Sequence, residues 1–240
     1  TKYSYGAQRR YALGGMLDSV TNYPLRNALI GFLNGRADAE ELKCLLVDQA
    51  TNYPVPMYYA LTNLLSSHDV ERVRTALSAR IDPHGLTREQ QASFVISDKQ
   101  DQKGSRRQRL AAVMQYCLPG VPCIYYGDEK GMHGFLDPFN RETFQEAPYD
   151  LTKDYRQLAS LRKSADALQT GHVVFFAPDH DCIGVLRYVV EGRDALGRPA
   201  EDGIYFVAIN RAESERVIVI DFLSRNQLFA EKHQKILRPM

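Results

Sequence analysis

The sequence has almost no net charge: 30 Lys and Arg stand against 29 Asp and Glu across 240 residues. No basic field therefore asks for a nucleic acid or an anionic membrane surface, and a neutral ligand fits better than a polyanion. Hydrophobic residues make up 44%, yet none of their runs approaches the roughly 18 residues of a membrane-spanning helix. The opening residues TKYSYGAQRRYALGG have neither the apolar core nor the cleavage pattern of a signal peptide. Four cysteines, Cys44, Cys117, Cys123 and Cys182, lack the C-x-x-C spacing of a zinc site and read as free thiols of a reducing, cytoplasmic compartment. No G-x-G-x-x-G or P-loop follows an apolar run, which sets aside a nucleotide-binding α/β protein. No D-x-[DN]-x-[DN]-G loop is present either, so no metal and no cofactor are expected. Internal repeats and low-complexity tracts are missing too.

What is there alternates between two periods. Met16 to Tyr23 reads as a strand, after which Pro24 opens a helix with Leu25, Ala28, Leu29, Phe32 and Leu33 on one face and Gly35 at its end. Asp38 and Glu41 form a D-x-x-E capping box ahead of a helix faced by Leu42, Leu45, Leu46 and Ala50, which the YPVP segment at 53–56 stops. A compact apolar run, Leu61 to Ser66, predicts a buried strand that ends directly in Ser67, His68 and Asp69. After a polar stretch, helical spacing returns at Leu110, Val113, Met114, Cys117 and Leu118. Val121 to Tyr126 then gives a strand ending in Gly127, Asp128 and Glu129, and one helix is predicted from Leu151 to Leu168.

Such an order argues for parallel β/α units, though too few for a closed eight-stranded barrel. From about Gly171 short strands separated by turns take over: Val173 to Phe176, Cys182 to Val190, Ile204 to Asn210 and Arg216 to Asp221, with a polar loop at 192–203.

Three segments carry the chemistry: SYGAQRRYALGGMLDSVTNYPLRNAL at 4–29, NLLSSHDVER at 63–72 and LPGVPCIYYGDEKGMHGFLDPFNR at 118–141. In this order they resemble the α-amylase family, glycoside hydrolase family 13, and its neopullulanase and cyclomaltodextrinase-like members in particular, over roughly residues 1–168. The resemblance implies an α/β fold. Residues 1–170 would be the part of a (β/α)8 TIM barrel that holds strands six to eight, and 171–240 a small antiparallel β-sandwich domain. It also implies that Asp69 stabilises an oxocarbenium-like transition state, that His68 donates to hydroxyls of the same sugar, and that Asp137 and Arg141 hold the next glucose.

Taken alone, S-H-D reads equally as an N-cap Asp beside a structural His, and Asp137 with Arg141 as a surface i, i+4 ion pair. The resemblance tips the first towards the sugar reading and leaves the second open. Arg72 fits the family's H-D-x-x-R pattern and is expected to orient rather than touch. Asn22, Tyr23, Tyr125 and Tyr126 are candidates to face the sugar, with core packing the competing reading for the tyrosines. Asp128 and Glu129 either face the site or brace loops.

One part of the pattern is not found. A retaining glycosidase needs a nucleophile and an acid/base about 5 Å apart, and the family carries its nucleophile in a G-x-R-x-D context. Gly35-Arg36-Ala37-Asp38 lacks that spacing. The expectation is therefore a fragment of an amylase-family glycosidase acting on α-1,4 or α-1,6 bonds of maltodextrins, cyclomaltodextrins, starch or pullulan, inactive by itself. Exposed strand edges would then make either a homodimer or a complementing amino-terminal chain its partner, beside the oligosaccharide. The alternative is a non-catalytic carbohydrate-binding or regulatory protein on the same scaffold.

Overall fold

A computed structural model describes residues 16–218. The expected strand at Arg216 to Asp221 and the resemblance before residue 16 fall wholly or partly outside them. Helix α1, Tyr23–Leu33, starts where Asn22 accepts a hydrogen bond from the Leu25 amide and Pro24 fills the first turn. Helix α2, Ala39–Asn52, carries the expected capping box, with Asp38 and Glu41 each accepting from the other's backbone. The YPVP segment ends α2 but also starts a short helix, α3, Val55–Ala60, which the sequence reading missed.

Strand β1, Thr62–Leu64, and strand β2, Val121–Cys123, pair in parallel with Thr62 opposite Val121. The strand expected at Met16 to Tyr23 shrinks to one parallel bridge between Thr21 and Thr62. The chain commits to the α1 cap at Asn22, so its backbone pairing with Thr62 comes from the Asn22 amide and the Val20 carbonyl, at 2.9 and 3.0 Å.

Between β1 and β2 the polar stretch is helical. It contains α4, Val73–Ala79; α5, Arg88–Ser93; and α6, Asp98–Cys117, which begins three turns earlier than its apolar spacing suggests. The predicted single helix at 151–168 is two, α7, Thr152–Lys163, and α8, Asp166–Gln169. The break turns Ala165 and Leu168 under Cys117, Tyr205 and Val207. Strands β3, His172–Asp179, β4, Cys182–Val189, and β5, Gly203–Asn210, form an antiparallel sheet in sequence order, with β4 central and almost wholly buried.

One apolar cluster joins both parts. Leu29, Phe32 and Leu33 of α1, Leu42 and Leu46 of α2, Leu77 of α4 and Met114 of α6 pack with Ile183 and Val185 of β4 and Ile209 of β5. The second face of the sheet carries a smaller cluster around Phe176 and Leu186; a second sheet completing a sandwich is not seen among the described residues. All four cysteines are free thiols. No described helix is long and apolar enough to cross a membrane.

Helices α4 and α6 touch so closely that a Cβ on Gly104 would collide with Ser78 Oγ and lie 2.9 Å from Ser78 Cβ and 3.1 Å from its Cα. Gly104→Ala would gain about 1 kcal/mol of helix propensity, but forcing the helices apart costs about 1–3 kcal/mol. Net destabilisation is expected, seen as a lower denaturation midpoint at unchanged m-value; a higher midpoint would contradict this packing.

Candidate active site

The carboxyl ends of β1 and β2 lie side by side because the strands are parallel and in register. The loops that leave them, 65–72 and 124–141, therefore share one rim. Helix α1 abuts it: Arg26 is 4% exposed, its Nε donates to the Leu65 carbonyl and its Nη2 to the Glu71 carbonyl, both at 2.9 Å.

Asp69 and His68 stand on this rim with side chains 59% and 62% exposed, His68 Nε2 lying 3.2 Å from Asp69 Oδ1. Tyr23 donates its hydroxyl to Asp69 Oδ2 at 3.2 Å and meets Ser67 Oγ at 2.9 Å, and Ser67 Oγ accepts the Asp69 amide at 3.0 Å. A chain of hydroxyls thus runs from the start of α1 to the carboxylate and aims it outward. Val73, four residues beyond Asp69, begins α4, but the position before it belongs to Arg72, whose side chain makes no cap hydrogen bond. Asp69 does not cap that helix.

The second pair lies across the rim. Asp137 and Arg141 join through Oδ1 and Nε at 3.1 Å, both about half exposed. Arg141 also donates from Nη2 to the His68 carbonyl at 3.2 Å, which links the two pairs. Between them in the chain Asn140 is fully buried, and its Nδ2 donates to the Ser67 and Val70 carbonyls at 3.2 and 2.9 Å. Sequence reasoning missed Asn140, Ser67 and Arg26; each is polar, and only the tertiary fold shows which backbone group each satisfies.

Behind the rim lies a buried charged layer. Arg72 is 0% exposed, its Nη1 donates to the Tyr126 carbonyl at 2.6 Å and lies 3.8 Å from Asp128 Oδ1. Its guanidinium carbon sits 4.7 and 4.6 Å from the ring centres of Tyr125 and Tyr126. Asp128 accepts from Ser66 Oγ at 2.8 Å, and burial pushes its carboxyl up to about 7 against the lowering effects of Ser66 and Arg72. Arg72 and Asp128 brace the loops and do not reach solvent. Among the sugar-facing candidates, Asn22 is corrected: it is 3% exposed, and its amide is used up by Leu25, Gln49 and Asn63. Tyr126 is 41% exposed and open to a ligand, with its hydroxyl donating to the Glu142 carbonyl.

An α/β fold with exposed acidic and basic groups beyond the carboxyl ends of adjacent parallel strands has its site where such folds place their chemistry. Residues 3–171 match the alpha amylase catalytic domain, and the chain belongs to the alpha-amylase family. It is 33% identical over 223 residues to an amylopullulanase of Thermoanaerobacterium thermosulfurigenes, covering 87% of this chain and 11% of that protein. It is 32% identical over 171 residues to a cyclomaltodextrinase of a Bacillus species, covering 69% and 26%. Among solved structures, the cyclic α-maltosyl-(1→6)-maltose hydrolase of Arthrobacter globiformis superposes with a TM-score of 0.61 at 26% identity, over 75% of this chain and 36% of that one. The chain thus spans well under half the length of each of these relatives.

The buried carboxyl gives a measurable consequence. The Cγ resonance of Asp128 should titrate with a midpoint near 7, whereas an ordinary aspartate titrates near 3.9. Its folded value lies above its unfolded one, so the stability it contributes is full below about 4 and lost as pH rises through about 7. A midpoint near 4 would mean that Arg72 outweighs burial.

Proposed function

We propose that this chain forms part of the active site of a retaining glycosidase that cleaves α-1,4 or α-1,6 glucosidic bonds in maltodextrins, cyclomaltodextrins, starch or pullulan. The observation that carries the reading is the shared rim: the His68–Asp69 and Asp137–Arg141 pairs, 68 residues apart in sequence, are joined by the hydrogen bond from Arg141 to the His68 carbonyl. In this reading the Thr21 segment, β1 and β2 are the sixth, seventh and eighth strands of a (β/α)8 barrel, residues 1–170 are its carboxy-terminal part, and 171–240 form an antiparallel domain packed against it.

Asp69 is then the carboxylate that faces developing positive charge at the anomeric carbon. It hydrogen-bonds sugar hydroxyls more strongly as the ring flattens, an effect of several kcal/mol in glycosidases. Tyr23 and Ser67 hold the carboxylate in place, so little reorganisation is left for the transition state. His68 supplies a donor to the same sugar. Across the rim, Arg141 and Asp137 offer a planar donor fork and an acceptor to the vicinal hydroxyls of a neighbouring glucose.

The reading gives the nucleophile and acid/base no residue among these 240, since no G-x-R-x-D pattern occurs in them. The chain alone is therefore expected to be inactive, and its oligosaccharide is turned over only in an enzyme that brings the two missing carboxyls to the rim. Such an enzyme would be completed either by a longer chain or by a complementing one.

In that enzyme Asp69→Asn should lower kcat about 100- to 1000-fold and leave KM within a few-fold, because the lost interaction belongs to the transition state. Steady-state kinetics on maltotriose and cyclomaltodextrin read this directly, and an unchanged kcat would sink the assignment. Arg141→Ala should instead raise KM for maltohexaose more than for maltotriose at nearly constant kcat. A loss confined to kcat would remove Arg141 from sugar binding.

A further inference from the structure

The segment that presents Asp137 and Arg141 has little regular structure of its own, only a single 3-10 turn at Phe139–Arg141. What holds it is therefore a question of side-chain anchors. At its far end the anchor is Asn140, described above. At its near end stands His133, whose ring is gripped on both sides: Nδ1 lies 3.2 Å from Thr75 Oγ1 on α4 and Nε2 lies 3.0 Å from Asp101 Oδ1 on α6.

The same Thr75 hydroxyl accepts the Gly134 amide at 2.8 Å, and the Gly134 carbonyl accepts the Arg72 amide at 2.9 Å. Thr75 has one hydroxyl hydrogen. With Gly134 donating to its oxygen, that hydrogen is free to go to His133 Nδ1, which leaves Nε2–H to donate to Asp101. Asp101 is held in turn by Arg74, fully buried, through Nη1 at 3.0 Å, and Arg74 Nε donates to Gln108 Oε1 at 2.7 Å. Burial alone would raise the Asp101 carboxyl, but the bonds from His133 and Arg74 hold it below the usual carboxylate range.

Beside this relay is a cavity of about 530 Å3 between α5 and the segment, walled by Phe94, Phe135, Phe139 and Gln91 among others. Gln91 is spent on the Pro83 and Leu86 carbonyls and the Leu136 amide, and Thr75 and His133 are spent on each other, Gly134 and Asp101. With its inner polar groups consumed this way, the wall serves to hold the segment.

We infer that His133 is a positioning residue: through Thr75 and Asp101 it clamps the start of the 133–141 segment to α4 and α6, and so sets where Asp137 and Arg141 meet the sugar chain. The inference rests on the sugar-binding reading of that pair. It differs from a core-packing role in its consequence, because loosening the clamp shifts the outlying glucose contact and leaves the Asp69 contact in place.

The first test is hydrogen exchange in the 240-residue chain. His133→Ala should speed amide exchange across 134–141 at least ten-fold while α1 and α2 keep their protection. Thr75→Val should do the same, and Thr75→Ser, which keeps the hydroxyl, should restore protection. Unchanged exchange in the segment overturns the clamp. The second test is kinetic, in the active enzyme containing this chain. His133→Ala should raise KM for maltohexaose about five- to ten-fold, with kcat on maltotriose within two-fold. His133→Gln, which can place a donor near the Nε2 position, should recover much of the loss. A loosened segment with unchanged KM overturns the link to substrate, as does an equal fall in kcat on both sugars. If Asp137→Ala also leaves maltohexaose KM unchanged, the failure belongs to the sugar-binding reading of the pair, and the exchange result still decides the clamp.

Discussion

A positive charge removed from water must be compensated or the fold does not tolerate it, and Arg72 is such a charge at the junction of the two loops that make the rim. Its amide holds Gly134, its guanidinium holds the Tyr126 carbonyl, two tyrosine rings lie against it and Asp128 stands at 3.8 Å. Every one of these partners comes from the loop after β2, while Arg72 itself ends the loop after β1. One buried guanidinium, bonded through Nη1 and covered by two tyrosine rings, therefore ties two loops to each other. Tyr126 keeps its exposed edge, and Met132 closes behind Gly127, where a side chain would collide with its sulfur. Asp128, pushed up to about 7, completes a layer in which polar groups are spent inward so that His68, Asp69, Asp137 and Arg141 can be spent outward.

Arginine serves the rest of the fold in a related way. The last carbonyls of a helix have no partner within it, and here guanidinium groups from distant segments supply them. Arg211, just after β5, reaches the Phe32 carbonyl in the last turn of α1 and the Ala37 carbonyl in the turn before α2. Arg107 of α6 reaches Leu77 on α4, Arg162 of α7 reaches Tyr116, Leu118 and Gly120, and the buried Arg187 of β4 reaches Cys117. The bonds to Phe32, Leu77, Tyr116 and Cys117 place positive charge at helix carboxyl ends, where the helix dipole favours it. The antiparallel sheet is tied to the helices by these contacts as well as by Ile183, Val185 and Ile209, so its apolar face and its charges agree on one docking.

How much of this was legible follows from where the polar groups point. The capping box at Asp38 and Glu41, the Pro24 helix start and the runs ending at Ser66 and Tyr126 are local signals, and the structure contains the elements they announce. The segment between His68 and Leu110 read as merely polar, because Arg72, Arg74, Thr75, Asp101, Ser105 and Gln108 break every apolar face. All are nonetheless buried, and Arg72, Arg74, Thr75, Asp101 and Gln108 are paired with one another, with His133 or with backbone groups, so α4 and the front of α6 are amphipathic only once their partners are known. The rim residues were legible by resemblance and not by pattern, since His68–Asp69 has no spacing signature of its own. Asn22 was a candidate to face the sugar, but its amide caps α1 and bonds Gln49 and Asn63, contacts that only the folded chain shows.

The exposure of the rim bears on what Asp69 can do. A carboxylate 59% open to water acts across a high dielectric, where a unit charge 4 Å away is worth about 1 kcal/mol, against about 4 kcal/mol at the effective dielectric of a protein surface cleft. In the proposed role, the several kcal/mol asked of a transition-state stabiliser would require that water leave when sugar arrives. The hydroxyl chain from Ser67 through Tyr23 survives that step, because its members already bond one another and Asp69. Arg141 is similarly prepared, with Nε on Asp137 and Nη2 on the His68 carbonyl. The described residues thus supply orientation in advance and leave desolvation to the substrate and to whatever else surrounds the bond.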